Sequence, residues 1–217
     1  MVPKPVSRKL LKRLPLYLNY LKSLPEDSPN VSATIMARAL ELGDVQVRKD
    51  LAKVSATGRR RTGRNRHQLM QDIEAYLNFA EETGTIVVGA GKLGRALLDY
   101  AGFEEAGFNV MAGFDIAPSV DISEGGKPIY PFNRLEHFCR HYDVHIGVIA
   151  VPAENAQEVC DSMIANGVRA IWNFAPVHLQ VPDYVVVQSE NLAVSLTSLR
   201  VQMKNQNAEL TTMNQVI

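Results

Sequence analysis

The sequence predicts an α/β protein: a small, basic, helical N-terminal module, then an open parallel sheet, then a separate last helix. Three observations carry this. Residues 85–118 hold an apolar run, a glycine-rich turn, a helix-compatible segment and a second apolar run, in that order. Residues 1–70 contain 15 Lys and Arg against 5 Asp and Glu, and residues 71–217 contain 8 against 18, so a formal net charge of zero conceals two oppositely charged parts. Short apolar runs and helical patterns alternate between residues 84 and 188, whereas helical spacing alone governs what lies before and after.

The 217 residues, 46% hydrophobic and 21% charged, exclude a disordered chain and allow one large domain or two small ones. Cys139 and Cys160 form no C-x-x-C pair and no metal-ligand spacing with histidine, so reduced core thiols, a cytoplasmic location and no metal are expected. No apolar leader opens the chain and no run approaches eighteen apolar residues, so neither a signal peptide nor a membrane span is expected.

In order along the chain, residues 7–24 carry Leu10, Leu11, Leu14, Leu18 and Leu21 at helical spacing, with Pro15 placed to kink or split the helix. Residues 25–30 read as a polar turn. Ser32 is a candidate N-cap for a short helix over 33–40. Gly43 supplies a reversal and Asp44 a cap for a third helix over 45–54, which turns Val47, Leu51 and Val54 inward and leaves Gln46, Arg48, Lys49 and Lys53 mostly free. Helix, glycine turn and a second helix with exposed polar groups match helix-turn-helix anatomy. Arg and Lys on such a helix donate to guanine acceptors, and Gln pairs with adenine. Residues 55–67 follow with Arg59, Arg60, Arg61, Arg64 and Arg66 between glycines, the turn chemistry of a wing that reaches phosphates or the minor groove. A disordered basic linker is the plainer alternative for this stretch, and a small helical bundle with a solvated basic face for the helices before it. Residues 68–82 form an amphipathic helix that connects a winged-helix DNA-binding domain over 1–83 to the domain that follows.

The next domain, over 84–188, opens on the apolar strand 86–88 and on Gly89-Ala90-Gly91-Lys92-Leu93-Gly94. This is the Rossmann dinucleotide fingerprint: Gly89 for the turn, Gly91 for close approach of a pyrophosphate, Gly94 for helix-sheet packing. A helix over 95–100 and a strand over 110–114 complete the unit. The strand ends on Asp115, 21 residues after Gly94, where a carboxylate accepts from ribose hydroxyls and repels the 2′-phosphate of NADP. NAD, as NADH and NAD+, is therefore the expected ligand; an empty glycine turn or another adenine compound such as coenzyme A is the alternative. Ile116 is placed to pack on adenine. Strands over 146–151 and 170–174 end at Val151-Pro152 and Phe174, where open parallel sheets bind ligands, so Pro152, Phe174 and Tyr100 are candidate nicotinamide neighbours. A short strand over 184–187 precedes a helix marked by Leu192, Leu196, Leu199 and Met203, whose apolar face needs cover from its own domain or from a second subunit. Residues 189–217 form this helix and a frayed polar tail over 205–217.

With those residues in view, the chain resembles the Rex family of redox-sensing transcriptional repressors across residues 7–203. The likeness rests on RLPLY (13–17), VQVRKDL (45–51), VVGAGKLGRALLDYAGF (87–103), FDIAP (114–118), VPAENAQEV (151–159) and NFAPVHLQVP (173–182). It implies a homodimer with an exchanged C-terminal helix that binds double-stranded operator DNA when NADH is low and releases it when NADH binds. It places the cofactor on Gly89, Gly91, Gly94, Asp115, Tyr100, Pro152 and Phe174, with Leu192 entering from the other subunit; Ala90, Lys92, Leu93, Ile116 and Val151 are expected to line the same site. It places the recognition helix on Gln46, Arg48 and Lys49; Lys53 and the wing arginines Arg59, Arg60, Arg61 and Arg64 are expected DNA contacts from their charge and placement. The chain departs from the family at the wing, which lacks one glycine and the aromatic, and at Ala117, where a second acid is usual. It also carries Asn19 and Asn191 where the family has an Arg and an Asp expected to pair across the dimer. Two amides make that contact neutral, so a paralogue with a weak redox response is one alternative function. An NAD-dependent oxidoreductase using His178 is the other.

Overall fold

The computed structural model describes residues 7–26, 28–55, 63–77 and 83–214, with the side chains at 8, 205 and 207–214 excepted. The chain divides into two compact units, Met1–Glu81 and Glu82–Ile217.

In the first unit, α1 (Arg8–Ser23), α2 (Ala33–Ala39), α3 (Asp44–Val54) and α4 (Arg66–Tyr76) bury Leu14, Tyr17, Leu21, Met36, Val47, Leu51, Leu69 and Ile73 against one another. β1 (Asn30–Val31) pairs antiparallel with β2 (Arg64–Asn65), which brings the chain after α3 back beside the entry to α2 and makes the unit a winged helix. Gly63 needs its positive φ of 75°, and a Cβ there would lie 2.6 Å from the Val31 carbonyl oxygen. The Ser32 hydroxyl caps α2 by accepting from Thr34 N at 3.3 Å.

Several expectations need correction. Pro15 neither splits nor ends α1, which runs unbroken from Arg8 to Ser23. Pro15 is exposed, and so is Leu11 four residues earlier, so the carbonyl that loses its partner faces water. The reversal before α3 falls on Glu41, with φ 53°, and Gly43 is the N-cap in extended backbone, with Asp44 the first helical residue. The loop after α1 ends in a strand, β1, which pairs with β2. Arg66 is buried instead of reaching outward: its Nη1 donates to the Pro25 carbonyl at 2.7 Å and its Nη2 to the Lys22 carbonyl at 3.5 Å, satisfying acceptors just beyond and within the last turn of α1.

The second unit holds β3 (Thr83–Val88), α5 (Lys92–Leu98), α6 (Gly102–Glu105), β4 (Phe108–Asp115), β5 (Ile129–Pro131), α7 (Leu135–His141), β6 (Ile146–Ile149), α8 (Ala153–Ala165), β7 (Ala170–Asn173), β8 (Val186–Ser189) and α9 (Leu192–Asn214). The strands pair in the order β5-β4-β3-β6-β7-β8, each neighbouring pair parallel. The chain builds outward from β3 to β5, then crosses back and builds outward from β6 to β8. The switch point therefore lies between the carboxyl ends of β3 and β6, where such sheets bind ligands. Near-continuous apolar runs such as Ile86-Val87-Val88 follow from burial on both faces.

One face packs Ile86, Phe114, Ile149 and Ile171 under Phe138 of α7 and Val159, Cys160 and Met163 of α8. The other packs Val87, Val110 and Val148 under Leu98 of α5. Beyond α6, that second face carries an open, almost wholly apolar groove of about 350 Å³ lined by Phe103, Val110, Val148, Trp172, Val186 and Gln188.

Here too the boundaries move. The fingerprint helix is Lys92–Leu98 and not 95–100, so Tyr100 stands in the loop before α6. The last strand is Val186–Ser189, two residues later than expected. α9 continues to Asn214 where a frayed tail from 205 was expected, since no glycine or proline interrupts Leu192–Asn214. No helix among the described residues is long and apolar enough to cross a membrane.

Burial pushes the Cys160 thiol up to about 11, with Asp161 adding to the effect, and burial raises Cys139 as well. Both stay protonated and unreactive near neutral pH. A thiol titration at pH 7.5 is expected to miss Cys160 in the folded protein and to recover it fully after denaturation. Rapid labelling of native Cys160 would contradict its burial.

Candidate nucleotide crevice and nucleic-acid interface

The glycine turn closes over the switch point. Gly89 has φ 97°, its N–H donates to the Phe114 carbonyl at 2.7 Å, and a Cβ there would sit 2.5 Å from the Ala150 oxygen, so the ends of β3, β4 and β6 meet at this residue. Gly94 is buried, and a Cβ on it would collide with the Gly89 carbonyl, so α5 can approach the turn only through a glycine. Gly91 differs: a Cβ there meets nothing within 4 Å. A side chain there would project into open space. Lys92 and Leu93, the first residues of α5, are exposed beside it, and Ala90 is half-buried.

Asp115 ends β4 at the rim. Its Oδ2 accepts from Ala90 N at 2.7 Å and its Oδ1 from Ala117 N at 3.0 Å, which pins the carboxylate against the turn. Each oxygen retains a lone pair for a hydroxyl donor. Ile116 is 81% exposed beside it.

After β6, Val151 is half-buried with its side chain beside the Gly89 turn, and Pro152 is the exposed N-cap of α8. Phe174 follows β7, with its N–H on the Ile149 carbonyl at 2.9 Å. Tyr100 is 59% exposed and packs edge-on against Phe103 at 4.9 Å between centroids. Phe103 meets Trp172 at 5.7 Å, and Trp172 meets Phe174 at 4.5 Å. Tyr100 and Phe174 are thus linked through two aromatic rings that sequence reasoning passed over. It passed over Asn173 too, a fully buried amide. Asn173 Oδ1 accepts from Ala175 N at 2.9 Å, and its Nδ2 donates to the Val177 carbonyl at 2.9 Å, so it holds the Phe174 loop in shape. A polar residue closing the apolar run 170–172 was the available signal.

On α3 the expectation of mostly free side chains fails for two of four. Gln46 Nε2 donates to Asp50 Oδ1 at 2.8 Å. Arg48 Nη2 donates to Asp44 Oδ2 at 2.8 Å and Thr34 Oγ1 at 3.1 Å. Lys49 and Lys53 are exposed. Asp50, 1% exposed, anchors the helix from behind: Arg13 Nε donates to its Oδ2 at 2.6 Å and Arg13 Nη2 to its Oδ1 at 3.1 Å, and the Tyr17 hydroxyl donates to Oδ2 at 2.8 Å. Burial pushes the Asp50 carboxyl up, and the bonds from Arg13, Tyr17 and Gln46 outweigh it, leaving a net pKa below the usual carboxylate value. Burial, reinforced by Asp50, raises Tyr17 to about 12. An aspartate among Val47, Leu51 and Val54 on the inward stripe was the signal for this network. In the wing, Arg64 is half-buried in β2, its Nη2 on the Ser55 carbonyl at 3.4 Å, and burial pulls its pKa down. Arg59, Arg60 and Arg61 lie outside the described residues.

Residues 80–177 match the family model described as CoA binding domain, and residues 5–52 match that described as putative DNA-binding protein N-terminus. The redox-sensing transcriptional repressor Rex of Porphyromonas gingivalis is 38% identical over 94% of this chain and 93% of its own length. That of Bacteroides fragilis is 36% identical over 90% and 88%. The chain belongs to the Rex family. Among solved structures, RSP, a Rex-family repressor, superposes in complex with β-NAD+ and operator DNA at a TM-score of 0.85 with 28% identity, covering 99% of this chain and 100% of that one. Its complex with β-NADH gives 0.84 with 29% identity, over 95% and 98%.

Within this Rex chain, Asn19 is exposed on α1, and Asn191 Oδ1 accepts from Val194 N at 3.0 Å, so the amide at the start of α9 serves as a helix cap. Leu192 is exposed next to it, as are the described side chains along α9 through Lys204.

Proposed function

We propose that this chain is a transcriptional repressor that binds operator DNA through α3 and the wing and lets go when NADH occupies the crevice of the second unit. The observation that carries the ligand is Gly91, open to solvent beside a carboxylate pinned on the turn. The fit favours NAD over coenzyme A, whose adenosine ribose carries a phosphate that Asp115 repels. The turn residues Gly89 to Gly94 hold the pyrophosphate, Asp115 the ribose, Ile116 the adenine, and Val151, Pro152, Tyr100 and Phe174 the nicotinamide. The reduced ring is uncharged and loses less hydration than the cationic oxidised ring on entering an apolar pocket, which gives a reason for sensing NADH. On the DNA side, Gln46, Arg48, Lys49 and Lys53 face the major groove and Arg59, Arg60, Arg61 and Arg64 the backbone or minor groove.

The working unit in this reading is a homodimer in the cytoplasm. α9 presents Leu192, Leu196, Leu199 and Met203 to solvent, and the second sheet face presents an uncovered apolar groove. A second copy with its α9 exchanged covers both surfaces and brings Leu192 of the partner subunit to the nicotinamide end. Ligand-driven closure then moves the two recognition helices off the spacing that successive major grooves impose. The reading is binding without turnover: His178, the one candidate acid–base group, is exposed on the loop after Phe174.

A gel shift on a palindromic operator tests the proposal. NADH is expected to release the DNA and NAD+ to leave it bound. A complex indifferent to both overturns the sensor reading, and no complex at any salt concentration overturns DNA binding.

A further inference from the structure

The end of β7 and the root of α9 are tied together. Glu190 N–H donates to the Asn173 carbonyl at 2.8 Å, and Asn173 Nδ2 reaches Ser189 Oγ at 3.4 Å. The half-buried Glu190 carboxylate accepts at Oε1 from Gln188 Nε2 at 3.1 Å and from Trp172 Nε1 at 3.5 Å. Two residues later α9 begins, and its described side chains through Lys204 are exposed, so within one chain its direction is set at this root. Trp172 also packs on Phe174 and, through Phe103, on Tyr100. Both ends of this aromatic row are candidate nicotinamide neighbours.

We propose that Trp172 and Glu190 are positioning residues that carry nicotinamide occupancy to the direction of α9. The inference rests on the sensor reading above and names the joint through which that reading operates. A reduced ring held against Tyr100 and Phe174 sets the row of rings. Trp172 at its centre moves its indole N–H against the Glu190 carboxylate, and Glu190 turns the helix that leads into the second subunit. An apolar residue at 190 would remove the side-chain tie to Trp172 and leave the root held by the backbone bond to the Asn173 carbonyl, the Asn173–Ser189 contact and the Asn191 cap.

The test uses the full-length protein and three measurements: NADH affinity by titration, operator affinity without nucleotide, and operator affinity at saturating NADH. The ratio of the last two is the coupling. Glu190→Ala is expected to bind NADH and operator as the wild type does and to lower the coupling ratio on the order of tenfold, within the range of allosteric couplings. Glu190→Gln, which keeps an acceptor, is expected to restore most of it. Trp172→Phe, which keeps the ring and removes the N–H, is expected to lower the ratio similarly, and the double variant Trp172→Phe/Glu190→Ala no further, because the two residues act as one unit. An unchanged ratio in Glu190→Ala overturns the proposal, as does a double variant whose losses simply add. A wild-type complex insensitive to NADH overturns the sensor reading and the joint with it. A responsive wild type with equally responsive variants overturns the joint alone.

Discussion

Gly91→Ala is expected to lose NADH while keeping its fold. The added methyl meets no protein atom within 4 Å, and Gly91 has φ −67°, which alanine adopts without strain, so the melting temperature stays close to that of the wild type. The same methyl occupies the space through which a pyrophosphate approaches the turn. Each charge-assisted hydrogen bond lost contributes about 1.5–3 kcal/mol, so NADH affinity should fall roughly a hundredfold. Operator binding without nucleotide should persist, which makes the variant a repressor that NADH cannot remove. Gly94→Ala is the control with the opposite pattern: its methyl collides with the Gly89 carbonyl, so stability and NADH binding fall together. Calorimetric NADH titrations and thermal melts of both variants decide. Wild-type NADH affinity in Gly91→Ala would mean that the ligand does not use this turn.

Asp50→Ala is expected to cost operator binding through stability. It removes the acceptor for Arg13, Tyr17 and Gln46 and leaves a mostly buried guanidinium unpaired, a change that typically costs about 3–5 kcal/mol out of the roughly 5–15 that hold a domain together. NADH binding, which resides in the other unit, should survive. The pH dependence follows from the direction of the shifts. Asp50 titrates lower when folded than unfolded, so its contribution is complete above the ordinary carboxylate value near 4 and is lost as pH falls through the depressed folded value. Tyr17, raised to about 12, contributes below its ordinary value of 10.0 and loses that contribution as pH rises through about 12. Melts of wild type and Asp50→Asn between pH 3 and 7 should converge toward the acid end. Parallel curves would show that Asp50 is not the group responsible.

The Rossmann unit was the more legible half. Its glycines, its Asp115 and its apolar strands occupy fixed offsets because backbone approach to a phosphate and burial on two faces each admit few residue types. The N-terminal unit was legible as helices at helical spacing, but its polar interior was not. Arg13 and Asp50 are 37 residues apart, and nothing local says that they meet. For the same reason Arg66, one of five arginines in a basic run, reads as a wing cation although it is buried as a strut under α1. Pro15 reads as a helix breaker, and only the solvent on that side of α1 shows why it is tolerated.

By itself the sequence determined the α/β class, the fingerprint turn, the strand ending at Asp115 and the basic module ahead of them; it ran β6 and β7 on to Val151 and Phe174, whereas they stop at Ile149 and Asn173. Period, glycine placement and terminal carboxylate are local constraints that the chain displays in one dimension. Only the tertiary structure decided that, of the fingerprint glycines 89, 91 and 94, Gly91 is the one facing open space, that Gln46 and Arg48 are tied down, and that Trp172 and Asn173 join the Phe174 loop to the root of α9. Those facts depend on contacts between residues far apart in the chain, and such contacts exist only after the strands have taken their order in the sheet and the helices their faces.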